Sequence, residues 1–274
     1  MSRLAERFRQ LRGRGRTALI PFITAGDPHP DLTVRLMHGL VAAGADVVEL
    51  GVPFSDPIGD GPVIQQACER ALRHNVSLRD VLTMVQRFRE DDPDTPVVLM
   101  GYMNPVELMG YAEFATRARD SGVDGVLTVD MPPEEMGELA ASLAAAALDS
   151  VFLVSPTTTE ERMQAICAKA GGFIYYVSLK GVTGAANLDV DAVGARVARL
   201  HGMTGLPVGV GFGISDAATA ARMAAVADAV VVGSALVRRI EANQEDLDAA
   251  QEAVTALVAE MRQAMDADAP ASVE

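Results

Sequence analysis

At 274 residues, 49% apolar and 22% charged, the chain has the makeup of a folded globular protein with room for a large core. Its formal net charge of −14 and pI near 4.7 argue against a nucleic-acid partner, because phosphates would meet an acidic surface. No apolar run approaches the roughly 18 residues of a membrane helix. Cys68 and Cys167 share neither a CxxC motif nor a short ligand spacing, so two reduced thiols in a cytoplasmic protein are expected.

In chain order, MSRLAERFRQLRGRGRT is basic but lacks the apolar run and cleavage site of a leader. Leu4, Phe8 and Leu11 lie at i, i+4 and i+7, which predicts a short amphipathic helix. Strand-like runs follow at 17–24 (TALIPFIT), 46–52 (DVVELGV), 96–102, 125–130, 150–155, 173–178, 207–212 and 229–234. They are nearly continuous in apolar character, as in parallel strands covered on both faces. Helical segments at 31–43, 76–90, 111–121, 133–146, 159–170, 189–201 and 215–227 separate them, and a long last helix runs from Leu236 to Met265 with a break. Asp31, Thr159, Asp189 and Ser215 read as N-caps, and Gly44, Gly122, Gly171 and Gly202 as stops. The second unit is longer than the others. Its strand leads into ELGVPFSDPIGDGP (49–62), a loop stiffened by Pro53 and Pro57, and then into an extra helix, PVIQQACERALR.

Eight such units predict an α/β fold: a (β/α)8 TIM barrel with an extra N-terminal helix and an extra helix after strand 2. One domain is expected over 1–265, with 266–274 a disordered tail. The rival, a doubly wound open sheet, would usually carry a Gly-rich turn after its first strand, where this chain has TAGDPHP.

In a barrel of this kind the chemistry sits at the C-terminal ends of the strands. Strand 2 delivers Glu49 there, with no basic residue in DVVELGVPF to neutralise it. A carboxylate among valines and leucines is either paired from elsewhere or functional, and apolar surroundings raise its pKa toward neutrality. Asp60, on a polar loop, is expected to stay ionised as a fixed base, which divides acid and base roles between two carboxylates. Gly213 after strand 7, Gly233 and Ser234 after strand 8, and Gly184 after strand 6 suit a phosphate held by backbone N–H groups and a helix N-terminus; each glycine alone reads more readily as a turn, and the set at one rim favours the phosphate. Phe22, Tyr175 and Phe212 fall near strand ends and fit either core packing or a pocket for a flat apolar ligand. Asp130 fits a helix cap or a substrate contact. No metal site is expected, because Asp56 and Asp60 have no nearby His or Cys.

Together, ELGVPFSDPIGDGPVIQ, GYMNPVE, SLKGVTGA, GVGFGIS and VVGSALV resemble the tryptophan synthase alpha chain family, from about Arg7 to the last helix. The first motif is long and specific; the glycine-rich ones are weak singly. The resemblance implies a lyase of tryptophan biosynthesis that splits indole-3-glycerol phosphate into indole and glyceraldehyde 3-phosphate by a retro-aldol step, without a cofactor of its own. It implies catalytic roles for Glu49 and Asp60, phosphate contacts at Gly184, Gly213, Gly233 and Ser234, and an indole pocket of Phe22, Tyr175 and Phe212. Thr183 would position the aspartate. It further implies a beta-subunit partner that uses pyridoxal phosphate, in an α2β2 heterotetramer, with contacts at Pro53, Asp56, Pro57 and Asn104. Two departures stand out. Gly59 replaces the usual alanine before the aspartate, and SLKGVTG lacks the arginine that many members carry after the serine.

Two other readings stay open on the residues alone. One is a different phosphate-handling isomerase or aldolase, although a Schiff-base aldolase would want a strand-end lysine and the nearest, Lys180, lies in a loop. The other is a regulatory subunit with a pocket and little turnover, against which the presence of both carboxylates speaks.

Overall fold

The computed structural model describes residues 2–178, 189–211 and 213–267. Eight parallel strands close on themselves in sequence order: β1 (Ala18–Thr24), β2 (Val48–Gly51), β3 (Val97–Gly101), β4 (Gly125–Thr128), β5 (Asp149–Val154), β6 (Ile174–Val177), β7 (Val208–Gly211) and β8 (Ala229–Val232). The register of Ala18 with Ala229 and of Pro21 with Val232 joins the last strand to the first. The expected (β/α)8 barrel is therefore present, with every strand at its predicted place.

The outer ring and its additions are α1 (Arg3–Gly13), α2 (Pro30–Ala42), α3 (Pro62–Leu72), α4 (Leu78–Asp91), α5 (Met103–Met109), α6 (Tyr111–Ser121), α7 (Gly137–Ala145), α8 (Glu160–Cys167), α9 (Val190–His201), α10 (Ala217–Ala224), α11 (Ser234–Ala242) and α12 (Leu247–Ala267). The extra helices α1 and α3 stand where the sequence predicts them. Helix α5 was not foreseen: Pro105 falls inside its first turn, where the missing N–H would have had no partner in any case. Helix α7 begins at Gly137 rather than at 133, because the stretch after Pro132–Pro133 forms turns first. Thr159 and Asp189 cap as predicted. Two caps move: His29 Nδ1, not Asp31, accepts at the start of α2, and Asp216, not Ser215, accepts from Thr219 N–H at 2.8 Å. The break in the last helix falls at 243–246, where Asp246 restarts it by accepting from Asp248 and Ala249. Helix α12 continues through Ala267, so Asp266 is helical and paired with Arg262; the rest of the expected tail, 268–274, lies outside the described residues.

Strand alternation sorts the side chains. Val48 and Leu50 face the helices, whereas Val47 joins the barrel interior with Ala18, Ile20, Val98, Leu127, Val151, Phe173 and Val231. Helix α1 closes the bottom of this interior. Its Leu4, Phe8 and Leu11 pack into the same cluster, with the Phe8 ring 5.8 Å from Phe173. Each such side chain contributes about 1.5–3 kcal/mol on burial. Ser2 Oγ donating to Asp149 (2.6 Å) and the Arg3–Asp124 ion pair (2.8 Å) fix the helix to the strand starts.

Candidate active site

Glu49 has the same strand parity as Val47 and so faces into the barrel, opposite Phe22 of β1 and Val98 of β3. It lies near the C-terminal end of β2, where the interior widens into a cavity of about 320 Å³. Phe22, Glu49, Asp60, Tyr175, Gly213, Gly233 and Ser234 all line it. The structure thus brings together seven residues that the sequence singles out. Thr183, Gly184 and Phe212 lie outside the described residues. Pro53, Asp56, Pro57 and Asn104 do not line the cavity: the two prolines of the loop after β2 are buried, while Asp56 and Asn104 are exposed on the rim.

Glu49 is 1% exposed, and neither carboxyl oxygen has a hydrogen-bond partner among the described residues. Loss of hydration, reinforced by the nearby charge of Asp60, pushes its pKa up to about 8. Glu49 is therefore neutral at pH 7 and holds a proton that no group among the described residues accepts.

Asp60 sits two residues before α3, next to its N-cap Gly61. Its pKa is also raised by burial, against which a hydrogen bond from Tyr102 Oη at 2.9 Å favours the charged form. The expected polar, solvated aspartate is thus a half-buried one held by a single phenol. Asp130 accepts from Met103 N–H at 2.9 Å, so it anchors α5 rather than capping α7 or lining the cavity.

The other end of the cavity is built for an anion. Gly213 has φ +76, a backbone geometry that other residues adopt at a cost. Gly233 caps α11 without a side-chain hydrogen bond, and among the described residues the N–H groups of Ser234 and Ala235 and the Ser234 hydroxyl have no partner, which suits them to a ligand. Arg238 lies four residues after Ser234, on the same helix face, and is the one cationic side chain lining the cavity among the described residues. Between the two ends, Phe22, Met100, Ile64, Val63 and Tyr175 make an apolar wall. Two clamps steady the frame. Arg70 of α3 binds Asp27 after β1 at 2.6 and 3.0 Å, and reaches Glu241 of α11 at 3.2 Å.

Sequence reasoning missed Tyr102 and Arg238. An arginine on an amphipathic helix looks like any surface arginine, and Tyr102 meets Asp60 only because the loop after β2 folds across the end of β3. Among the described residues no three His, Cys, Asp or Glu side chains come together as metal ligands.

A geometry of one buried acid, one held carboxylate, an apolar wall and an anion end suits cleavage of a phosphate-bearing aromatic substrate, and the chain's relatives agree. The family model described as tryptophan synthase alpha chain matches residues 8–266. The tryptophan synthase alpha chain of Thioalkalivibrio sulfidiphilus is 64% identical over 266 residues, covering 97% of this chain and 100% of the relative. That of Nitrosococcus oceani is 61% identical over 267 residues, covering 97% and 98%. The crystal structure of tryptophan synthase subunit alpha from Legionella pneumophila superposes with a TM-score of 0.90 at 45% identity, covering 97% of this chain and 99% of that one. Tryptophan synthase from M. tuberculosis in an aminoacrylate-bound form gives 0.85 at 36%, covering 97% and 100%. The chain belongs to the tryptophan synthase alpha chain family, and its reaction is the lyase step of tryptophan biosynthesis that splits indole-3-glycerol phosphate into indole and glyceraldehyde 3-phosphate.

Proposed function

We propose that Glu49 and Asp60 divide the proton transfers of this cleavage. The indole ring lies along Phe22, Met100 and Tyr175, and the phosphate rests on Gly213, Gly233, Ser234 and the Arg238 guanidinium. Glu49 gives its proton to ring carbon C3. The ring nitrogen becomes the electron sink, and Asp60 accepts or holds its proton and balances its charge. Glu49, now a carboxylate, takes the proton of the adjacent carbinol hydroxyl. The bond from C3 to that carbon breaks, its electron pair restores the C2–C3 double bond, and the iminium pair returns to nitrogen. The carbinol carbon becomes the aldehyde of glyceraldehyde 3-phosphate, and Glu49 ends protonated, as it began. The remote phosphate anchor keeps the reacting carbon between the two groups.

The observation that carries this reading is Glu49 itself, buried and without a partner among the described residues, yet poised to give up a proton near pH 8. Indole release by the purified chain tests it. Glu49→Gln and Asp60→Asn are each expected to lower kcat by at least about 100-fold. Wild-type kcat in either variant overturns the assignment of that residue.

The same reading extends to assembly: a pyridoxal-phosphate-dependent beta subunit docks on the rim of the barrel mouth in an α2β2 heterotetramer, in the cytoplasm, and this chain carries no cofactor of its own. Ile58 (88% exposed) and Leu108 (91% exposed) support it, because they stand beside Asp56 and Asn104 on the loop after β2 and on α5. Bare apolar side chains on so acidic a surface suit a partner face.

A further inference from the structure

We propose that Tyr102 is a positioning residue that sets the working orientation of Asp60. The inference rests on the catalytic reading of Asp60 given above. Tyr102 follows β3 directly and is 5% exposed. Its hydroxyl contacts two neighbouring groups of the loop after β2: the Gly59 N–H at 3.0 Å and Asp60 Oδ2 at 2.9 Å. The direction of both bonds is forced. An amide N–H can only donate, so the phenol oxygen accepts from Gly59 and spends its single proton on the carboxylate. No other side chain among the described residues donates to Asp60, so Oδ1 is left for a ligand in the cavity.

The phenol is itself held on two sides. Its ring stacks on Phe54, with centroids 5.2 Å apart and planes inclined by 26°. The next residue, Met103, is fixed by Asp130 through its N–H. The carboxylate thus takes its rotamer from a side chain rooted at a barrel strand, although Asp60 belongs to a half-exposed loop. A loop residue gains a rigid reference in this way.

The charged form of Asp60 is also favoured by this bond. The ionisable groups that sense Asp60 are Glu49 of β2, Cys68 of α3, Tyr102 after β3 and Tyr175 of β6. Glu49 stays neutral to about 8, the Cys68 thiol is pushed up to about 11, and both phenols are raised, so among these side chains Asp60 is the one that contributes to the acidic limb of activity, beside the substrate's own phosphate.

Tyr102→Phe tests the proposal, because it keeps the ring on Phe54 and leaves only the Gly59 N–H, on an exposed residue where water can replace the phenol. In indole-release assays kcat is expected to fall about tenfold with KM within about twofold, and the acidic limb of kcat/KM to move to higher pH. Asp60→Asn and the double variant Asp60→Asn/Tyr102→Phe complete a cycle in which the double is no worse than Asp60→Asn alone. A wild-type kcat and limb in Tyr102→Phe, or losses that multiply in the double variant, overturn the inference. If Asp60→Asn itself keeps full activity, the catalytic reading of Asp60 falls, and this inference with it. If Asp60→Asn is inactive and Tyr102→Phe is unaffected, only the role of Tyr102 falls.

Discussion

Replacing Gly59 by alanine is expected to damage the site without unfolding the chain. A Cβ built on Gly59 would lie 2.8 Å from Val129 Cγ1 and 3.2 Å from Tyr102 Oη. Carbon atoms pack best at about 3.5–4.0 Å, so the contact with Val129 is about 1 Å too short. Valine is stiff at χ1 and cannot swing aside cheaply. Overpacking of this size costs about 1–3 kcal/mol where the surroundings are fixed. Gly59 is on an exposed loop, so the strain is relieved by displacing the loop, and Asp60 is the next residue. A displacement of about 1 Å at a reacting group can lower the rate by up to about 100-fold. Gly59→Ala should therefore reduce kcat/KM for indole release by about 10- to 100-fold in the isolated chain, with little change in Tm. Val129→Ala removes the opposing methyl groups, so Gly59→Ala/Val129→Ala should recover most of the loss. Full activity in Gly59→Ala, or a double variant no better than the single one, refutes the reasoning. The bulk of Val129 then accounts for a glycine at position 59.

Three further outcomes follow from the site. Glu49 has a folded pKa of about 8 against an ordinary 4.5, so between those values the folded chain binds a proton that the unfolded chain lacks, and stability falls as pH rises. The loss is on the order of 5 kcal/mol across that window; the Tm advantage of Glu49→Gln over the wild type should widen from pH 5 to pH 8, and a constant difference would count against the buried proton. Arg238→Ala should raise KM for indole-3-glycerol phosphate about five- to tenfold with kcat unchanged, and the difference should shrink in high salt as exposed charges are screened; an unchanged KM at low salt removes Arg238 from the anion end. Leu108→Asp should weaken co-elution with a beta subunit at least tenfold and leave kcat of the isolated chain intact, whereas undiminished co-elution would put the partner face elsewhere.

Most of the fold was legible because parallel barrel strands are buried on both faces, so runs such as 46–52 and 229–234 announce themselves by unbroken apolar character. Helix α5 escaped because Pro105 reads as a breaker until its place in the first turn is known. The caps at His29 and Asp216 were each displaced from the predicted residue by one or two positions, since neighbouring side chains compete to accept the same N–H groups. Glu49 was legible as a charge inside a greasy run. The half of the site that depends on who meets whom was not: Tyr102 is 42 residues from Asp60 in sequence, and only the closing of the barrel places one over the other.

The helix beneath the strands has a consequence for traffic. With Leu4 and Phe8 wedged among the inward side chains, the barrel is a blind well among the described residues: whatever enters by the mouth must leave by it. Indole freed at the level of Glu49 has to climb past the rim where Ile58 and Leu108 stand bare. A subunit seated on that rim would become the lid and the recipient at once, and a volatile, membrane-permeant product would be handed on instead of lost.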